Sequence, residues 1–278
     1  MTSDFVLPEP AKIAEFQNAV WDHYKARGRS FPWRDIDNGW GVLVSEVMLQ
    51  QTQTSRVVSY WLRWMEKWPT PQALADASLD EVLREWAGLG YNRRGRFLKL
   101  AAEAIVREHK GHVPRTKEEL IKLPGIGPYT AGAILCFAYN EPVVFIETNI
   151  RSALLHFFFH DEKGVPDQLL LPILEQTLDR QRPRQWYYAL MDYGAQLKKI
   201  TQNPSRRSAH YTRQSPFKGS LREARGYIVR YLAEQGPASL EDLSKSSAIE
   251  YERLKAAIES LSKEGMVAEQ SGLYRIQS

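Results

Sequence analysis

Two glutamates lie in surroundings that should shift the pKa of a carboxyl group in opposite directions. Glu46 lies inside the apolar stretch 42–49, so we expect desolvation to raise its pKa and suit it to acid catalysis, unless it is a structural glutamate paired with an arginine. Glu147 follows the apolar run 143–146 and precedes a predicted helix, whose dipole favours the ionised carboxylate. Such a pair is typical of glycosidic bond cleavage, in which one group protonates the leaving group and the other faces an oxocarbenium-like sugar.

A glycine-rich turn is the second feature that could bind a ligand. The string L-P-G-I-G-P-Y-T-A-G occupies residues 123–132, between the predicted helices 116–122 and 129–139. Backbone N–H groups of such a turn, next to a helix N-terminus, can hold one phosphate. The plain alternative is a helix–helix turn that uses glycine for its positive φ. We predict a phosphate-binding hairpin formed by Leu123, Gly125, Ile126, Gly127 and Thr130.

Basic residues form the third feature. The chain has a net charge of +4 and a pI near 9.0. The basic residues cluster in the segment Tyr91, Asn92, Arg93 and Arg94, at Lys198, and around Arg206 and Arg207. Such patches are compatible with a polyanionic partner, although ordinary solvated surface gives the same pattern.

Composition limits the class of protein. The chain has 278 residues, of which 43% are hydrophobic and 25% charged, as in a globular protein with a large core. No apolar run approaches the roughly 20 residues of a membrane helix. The start of the chain lacks a secretory signal pattern, so we expect a cytoplasmic, nucleoid-associated protein. The single cysteine, Cys136, excludes an internal disulfide framework and any all-cysteine metal cluster, and we predict no metal and no cofactor.

The elements that must position these residues are predicted to be almost entirely helical. Apolar residues recur at three- and four-residue spacing in ten segments. These are 11–27, 41–66, 71–75, 78–87, 92–109, 116–122, 129–139, 149–158, 167–181 and 184–197. The apolar run 143–146 is too short for its periodicity to distinguish a strand. Thr148 or Asn149 is the expected N-cap of the helix 149–158.

The chain divides by composition into three parts. Residues 1–200 form the mainly helical domain, and 201–219 form a polar, basic linker or DNA-facing loop. Residues 220–278 are predicted to be self-contained, with helices 221–234, 239–246 and 249–264 and a β-hairpin turning at Ser271 and Gly272. Three helices and a hairpin resemble a winged helix-turn-helix, a fold that binds nucleic acid or protein partners.

Several motifs together resemble the helix-hairpin-helix (HhH-GPD) DNA glycosylases, and most closely the adenine DNA glycosylases. Besides the hairpin string, they are S-E-V-M-L-Q-Q-T-Q from residue 45, F-P-W-R from 31, G-L-G-Y-N from 88 and A-L-M-D-Y-G-A from 189. The resemblance covers roughly residues 15–200. It implies two helical subdomains, an active site in the cleft between them and a flipped-out base.

The resemblance also implies roles for single residues. Glu46 matches the acid that protonates the purine, and Glu147 stands where the family has its catalytic aspartate. Asn149 and Tyr129 match an asparagine and a tyrosine of the family's active site. Gln50 and Gln51, followed by Gln53, match a segment that wedges into the duplex.

Tyr129 bears on the type of reaction. In the endonuclease III branch this position holds a lysine that forms a Schiff base and cuts the strand, whereas tyrosine has no amine for that step. The resemblance therefore implies a monofunctional enzyme that leaves an abasic site. Lys99 and Lys122 remain open as substitutes.

Four departures from the family pattern affect the substrate. The four cysteines that hold an iron–sulfur cluster are absent after residue 195, and Asn92 replaces the second tyrosine of G-L-G-Y-Y. The C-terminal part is winged-helix-like and not similar to nucleotide hydrolases. Glu147 adds one methylene to the expected aspartate, which moves the carboxylate by about 1.5 Å.

We therefore predict a monomeric DNA glycosylase that acts on double-stranded DNA carrying a mispaired or damaged base, adenine first. We expect the residues of the basic clusters, Tyr91 to Arg94, Lys198, Arg206 and Arg207, to contact this DNA. Hypoxanthine, uracil or thymine opposite guanine remain open as targets. A non-catalytic damage-binding protein on the same scaffold is the alternative.

Overall fold

The computed structural model describes residues 6–277, and the chain folds into two compact units. Unit 1 comprises residues 1–37 and 127–213, and unit 2 comprises residues 38–126 and 214–278. Residues 1–5, on which part of the secretory-signal prediction rests, lie outside the described residues, as does residue 278.

The helices of unit 1 are α1 (Pro10–Arg27), α8 (Pro128–Tyr139), α9 (Thr148–Phe158), α10 (Asp167–Thr177) and α11 (Pro183–Ile200), with a short 3-10 helix, η1 (Pro204–Arg207). Helix α11 packs against α9 and α1, and η1 packs against α9, so α9 and α11 form the centre of this unit. Aromatic packing closes its core: Phe16 contacts Phe157, Phe158 and Trp186.

Unit 2 holds α2 (Gly39–Leu49), α3 (Thr54–Lys67), α4 (Pro71–Asp76), α5 (Leu79–Trp86), α6 (Arg93–His109) and α7 (Lys117–Lys122), and later α12 (Leu221–Gln235), α13 (Leu240–Lys245) and α14 (Tyr251–Lys263). Trp64 packs edge-on against Trp68 and Trp86 in its core. Ser78 and Glu81 form a capping box that fixes the start of α5.

The predicted single helix 41–66 is wrong, because the structure breaks it between Leu49 and Thr54. Gln51 lies in the break with a φ of 55°, a left-handed conformation that a helix cannot contain. Residues 50–53 are all polar, so the apolar spacing pauses there, but no glycine or proline marks the interruption in the sequence. The run 143–146 forms no strand in the described chain and leads directly into α9.

The C-terminal hairpin is confirmed. The strands β1 (Val267–Gln270) and β2 (Leu273–Ile276) pair antiparallel, with Val267 opposite Ile276. Ser271 and Gly272 both have positive φ, as a two-residue type I′ turn requires.

The C-terminal helices share a core with α5. Leu79 and Leu83 lie in one buried cluster with Ile228, Leu232 and other apolar residues of α12 to β2. Arg84 Nε also donates a hydrogen bond to the carbonyl oxygen of Ala233 at 2.9 Å. The segment 220–278, which the sequence predicts to be self-contained, is therefore packed into unit 2. Among the described helices, none is long and apolar enough to cross a membrane.

Candidate active site

Glu147 itself caps helix α9. Its Oε1 atom accepts hydrogen bonds from the backbone N–H groups of Asn149 at 2.6 Å and Ile150 at 2.9 Å. Its Oε2 atom accepts a third bond from Asn149 Nδ2 at 3.2 Å. The first N–H groups of a helix have no carbonyl partner inside the helix, and a capping oxygen satisfies them. The carboxyl group is thus held at the helix N-terminus by three donors.

Two expectations for this carboxyl group need correction. The N-cap is Glu147 and neither Thr148 nor Asn149, because the glutamate side chain is long enough to fold back onto the next two N–H groups. We expected the helix to lower the pKa of Glu147. Burial instead raises the pKa, and it outweighs the hydrogen bonds from Ile150 and Asn149 and the charge of Lys198, which all lower it.

Lys198 is turned toward the interior of unit 1. Its Nζ donates a hydrogen bond to Asn149 Oδ1 at 2.8 Å, while Asn149 contacts Glu147 through its Nδ2 atom. The predicted DNA contact of Lys198 was inferred from charge alone. Sequence reasoning missed this internal role. The available signal is that Lys198 lies four residues after Gly194, and therefore on the same face of α11.

Tyr129 lies in the first turn of α8, beside the segment that leads to Glu147. Its ring contacts Phe145 edge-on, with 5.9 Å between the ring centroids. Gly132 faces the same phenylalanine, since a Cβ added there would lie 2.9 Å from Phe145 Cβ. Phe145 in turn stacks on Tyr187 at 4.0 Å. The structure therefore brings the start of α8 and the segment preceding α9 together.

The F-P-W-R and A-L-M-D-Y-G-A motifs meet in a buried ion pair. Asp192 is 2% exposed and receives two hydrogen bonds from Arg34, at 2.8 and 3.0 Å. Arg29 adds a backbone and a side-chain bond to the same carboxylate, each at 2.7 Å. Burial alone would raise the pKa of Asp192, but these bonds and the arginine charge hold it below its ordinary value. The pair joins α11 to the residues that follow α1.

Gly194 in the same motif allows close helix packing. A Cβ at this position would lie 1.9 Å from the carbonyl oxygen of Asn149, so no larger residue fits without moving backbone. This contact sets how α11 meets the first turn of α9, which carries the Glu147 cap.

Glu46 lies within α2, in unit 2, and is 5% exposed. Its neighbours along the helix, Val42 to Met48, are buried, as the apolar pattern predicts. Trp40 Nε1 donates to the Trp68 carbonyl, and Trp61 Nε1 donates to the Gly41 carbonyl, which fixes α2 within its unit. Glu46 is thus buried, as the apolar pattern predicts, and its role as an acid catalyst stays a prediction.

Arg94 joins the two loops that carry the predicted DNA-contacting residues. Its Nη1 atom donates to the carbonyl oxygens of Val47, Met48 and Gln50, at 2.6–3.0 Å. Its Nη2 atom donates to the carbonyl oxygens of Leu89 and Gly90 and to Thr52 Oγ1, at 3.0–3.2 Å. Burial lowers the pKa of Arg94 to about 10. The guanidinium of Arg94 is therefore engaged inside the protein, and its DNA contact stays a prediction.

The other residues of these loops differ in exposure. Asn92 occupies the N-cap position of α6 and is only 8% exposed, and its DNA contact stays a prediction. Gln51, Gln53, Tyr91 and Arg93 are exposed, and Gln50 is partly exposed. Gln51 and Tyr91 both adopt positive φ, at 55° and 49°. Such strained non-glycine residues concentrate at functional sites.

Two further residues reach the same exposed loops and were missed by sequence reasoning. Arg222 of α12 donates to Tyr91 Oη at 2.8 Å. Gln214 donates to Gln51 Oε1 at 3.3 Å and also to Tyr91 Oη. Nothing in their own surroundings in the sequence indicates this pairing, which depends on how α12 packs.

The hairpin residues divide by their packing. Leu123, Ile126 and Thr130 are buried, so any phosphate contact there involves backbone N–H groups and not these side chains. Gly125 has a φ of 77° and lies against Phe97, which explains why it is glycine. Gly127 has a φ of −91° and nothing within 4 Å of an added Cβ, so neither conformation nor packing requires glycine there.

The segment 201–213 is folded onto unit 1. Arg207 donates to the carbonyl oxygens of Leu155, Phe159 and His160 at the C-terminal end of α9, where a cation is favoured by the helix dipole. Arg207 is therefore engaged within unit 1 while Arg206 is exposed, and the DNA contacts of both stay predictions. The segment 201–213, expected to be a linker or a DNA-facing loop, is part of unit 1.

The residues present do not fit a four-cysteine iron–sulfur cluster, because the one cysteine of the chain, Cys136, is buried in α8. In the part of the chain that the structure describes, no three His, Cys, Asp or Glu side chains are grouped so that they could hold a metal ion.

Comparisons with known proteins agree with this architecture. The adenine DNA glycosylase of Homo sapiens is 39% identical over 207 residues, covering 70% of this chain and 38% of the relative. That of Mycobacterium tuberculosis is 44% identical over 152 residues, covering 52% of this chain and 49% of the relative. The chain therefore spans less than half the length of these curated relatives.

A solved thermostable thymine-DNA glycosylase has a TM-score of 0.60 and 21% identity, over 66% of this chain and 87% of that one. A non-covalent endonuclease III–DNA complex gives a TM-score of 0.57 at 19% identity, over 66% and 85% of the two chains. At these identities the likeness shows a shared fold. Residues 44–172 match the family model described as HhH-GPD superfamily base excision DNA repair protein, and the chain therefore contains an HhH-GPD domain over these residues.

Proposed function

We propose that this chain is a monofunctional DNA glycosylase that hydrolyses the N-glycosidic bond of a flipped-out, mispaired or damaged base and leaves an abasic site. Adenine is the first candidate base, because the curated relatives are named adenine DNA glycosylases. The observation that carries the proposal is the Glu147 carboxyl group, which three donors hold at the N-terminus of α9. The substrate is double-stranded DNA in the cytoplasm, and the enzyme acts as a monomer.

The proposed reaction assigns one role to each carboxyl group. Glu46, which is buried among the apolar residues of α2, donates a proton to the base as the bond to the sugar breaks. Glu147 acts as the anion that stabilises the oxocarbenium-like sugar. Water then adds to the sugar carbon, and its proton returns to Glu46. Neither a metal nor a cofactor takes part in the proposal.

Two exposed loops and the open position at Gly127 support the DNA-binding part of the proposal. The Gln51–Gln53 loop and the Tyr91–Arg93 loop present amide, phenol and guanidinium groups to solvent. Gly127 leaves open space at the N-terminus of α8, where an anion is favoured and a phosphate can approach the backbone closely. Phosphate contacts of this kind position a duplex without reading its sequence.

The monofunctional part depends on Tyr129, which has no amine to attack the sugar. Sodium borohydride trapping tests it: wild-type protein should form no covalent adduct with an abasic duplex. A trapped adduct that persists in Lys99→Gln and Lys122→Gln but vanishes in Lys198→Gln would instead identify a lyase nucleophile beside Glu147.

The main test is a panel of duplexes, each with one altered or mispaired base, treated with alkali to reveal abasic sites. The panel includes adenine opposite guanine and opposite 8-oxoguanine, and hypoxanthine, uracil and thymine opposite guanine. We expect release of one base, abolished in Glu46→Gln without loss of duplex affinity. Tight binding with no release on any duplex would favour the damage-binding alternative, and retained activity in Glu46→Gln would remove this residue from its role.

A further inference from the structure

Lys198 and Gly194 lie one helical turn apart on α11 and so share a face of that helix. Gly194 lies directly against the backbone of Asn149, where an added Cβ would come within 1.9 Å of the carbonyl oxygen. Because no side chain separates the helices at this contact, the Lys198 side chain one turn later can reach the side chain of Asn149. The approach of α11 to the start of α9 is therefore what makes the lysine contact possible.

The hydrogen bonds run in one direction from Lys198 to Glu147. Lys198 Nζ donates to Asn149 Oδ1 at 2.8 Å, and Asn149 Nδ2 donates to Glu147 Oε2 at 3.2 Å. A lysine ammonium can only donate, so the amide oxygen must face it and the amide NH₂ group must face the carboxylate. The charge of Lys198 thus fixes the orientation of the Asn149 amide and provides the third donor to Glu147.

We propose that Lys198 is a positioning residue of this site: through Asn149 it orients the Glu147 carboxylate toward the sugar, and its charge favours the ionised form against the effect of burial. The inference rests on the proposed function. It differs from the phosphate contact predicted from the sequence, which would need the ammonium group to point away from the protein.

The charges around Glu147 support this role. Lys198 on α11 lowers the pKa of Glu147 against the effect of burial. Burial lowers the pKa of Lys198, while the charge of Glu147 raises it, so the two groups stabilise each other's charged form.

Two other cations near α9 form their hydrogen bonds elsewhere, although the charge of Glu147 also raises the pKa of Arg151. Arg151 on α9 forms two hydrogen bonds to Asp167 of α10, at 2.6 and 2.7 Å, and His210 lies 3.9 Å from that same carboxylate. Arg207 of η1 donates to backbone carbonyls at the opposite end of α9. Among the described residues, Lys198 is therefore the cation whose hydrogen bonds lead to Glu147.

The first experiment measures base release under single-turnover conditions at saturating enzyme, between pH 5 and 9, on the duplex that the panel identifies. We expect Lys198→Met to lower the rate about 100-fold, as misplacement of a catalytic group by about 1 Å does. Its acidic limb should move to higher pH, because Glu147 loses the charge that favours ionisation. Lys198→Arg should restore the position of the limb, and duplex affinity should change little in either variant.

Lys199→Met is the matched control, since it removes the same charge from the exposed neighbouring residue. We expect it to keep both the rate and the acidic limb. If Lys198→Met instead loses duplex affinity and salt dependence but keeps the wild-type rate at saturation, the lysine contacts phosphate and the positioning role is overturned. An unchanged rate and limb in Lys198→Met also overturns it, while wild-type activity on the same duplex leaves the proposed function intact.

A second measurement does not depend on turnover. The Glu147 carboxyl carbon can be titrated by ¹³C NMR in the free wild-type protein, with Glu147→Gln to assign the signal. The pKa of Glu147 should rise in Lys198→Met and Lys198→Gln and stay unchanged in Lys199→Met. A pKa that does not respond to Lys198 contradicts the inference even if no duplex in the panel is cleaved. Thermal melting of each variant confirms that it is folded.

Discussion

At the scale of single residues, the position of Glu147 is the most informative departure from the expected family pattern. Aspartate is the stronger N-cap residue, yet Glu147 caps α9 by folding its longer side chain onto two backbone N–H groups. The extra methylene therefore does not cost the helix its cap. What it changes is the location of the carboxylate, which faces the sugar in the proposed reaction.

Glu147→Asp separates the capping role from the chemical role. Because aspartate also caps helices, we expect the melting temperature to stay the same or rise slightly. The carboxylate withdraws by about 1.5 Å, so base release should fall roughly 100-fold if the pocket is adapted to glutamate. Single-turnover kinetics and thermal melting of the same sample provide both readouts. Faster release on adenine mispairs would show that the pocket still fits an aspartate.

At the scale of elements, Arg94 is the residue that holds the two exposed loops in place. Arg94→Met leaves buried carbonyl groups without their donor, which should destabilise the protein by about 3 kcal/mol or more. Urea unfolding at pH 7 measures this change, and duplex affinity should fall because Gln51 and Tyr91 lose their support.

Arg93→Met is the natural comparison, because Arg93 is the exposed neighbour of Arg94 on α6. We expect it to weaken duplex binding and to reduce the salt dependence of binding, since the proposed phosphate contact of Arg93 is lost. Its free energy of unfolding should change by less than about 0.5 kcal/mol. The reverse pattern, in which Arg93 governs stability and Arg94 only affinity, would contradict the assignment.

The buried pair of Asp192 with Arg34 and Arg29 predicts how stability depends on pH. Burial alone would raise the pKa of Asp192, but the two arginines hold it below the unfolded value of about 3.9. The ionised carboxylate therefore stabilises the fold above that pH, and this contribution is lost as pH falls through the folded pKa. Asp192→Asn should lower stability at pH 7 by about 3–5 kcal/mol, and the difference from wild type should shrink in acid.

Urea unfolding of both proteins from pH 7 to pH 2.5 tests this prediction. Asp22→Asn is the control, because Asp22 and its partner Lys25 are both largely exposed and the pair should contribute little. A difference between wild type and Asp192→Asn that stays constant with pH would show that Asp192 acts through packing and not through its charge.

The helices were predictable from the sequence where local signals determine them, and the burial of charged residues was not. The hairpin at Ser271 and Gly272, and the helix that follows Glu147, follow from turn preferences and apolar spacing. The break at residues 50–53 depends on Arg94, some 40 residues later, and periodicity cannot register a contact over that distance. Arg94, Arg207 and Lys198 were all interpreted as surface charge, because a sequence shows the charge of a side chain but not the carbonyl or amide oxygen that it meets.

At the scale of the whole molecule, composition divides the chain differently from its packing. The polar stretch 201–219 suggests a linker between two independent domains, yet each compact unit is assembled from two separate segments. Residues 214–278 pack with residues 38–126 because Leu79 and Leu83 of α5 complete the apolar core of the C-terminal helices. A discontinuous unit of this kind depends on long-range contacts, which local composition does not encode.

This shared core predicts one unfolding transition for unit 2. All eight tryptophans precede residue 200, so tryptophan fluorescence does not observe the C-terminal segment directly. Ile228 of α12 is fully buried in the shared cluster, and Ile228→Ala should destabilise the protein by about 2–5 kcal/mol. If α12 and α5 unfold together, the tryptophan transition in urea should move to lower concentration and coincide with the transition seen by circular dichroism.

Leu221→Ala provides the matched control on the same helix, because Leu221 is 42% exposed and its truncation leaves no buried cavity. We expect its free energy of unfolding, measured by tryptophan fluorescence, to change by less than about 0.5 kcal/mol. An unchanged tryptophan transition in Ile228→Ala, with a separate early loss of helical signal, would show that residues 214–278 unfold alone. Coincident transitions would instead mean that deleting this segment exposes Leu79 and Leu83, so its function must be tested by surface substitutions such as Arg222→Ala and not by truncation.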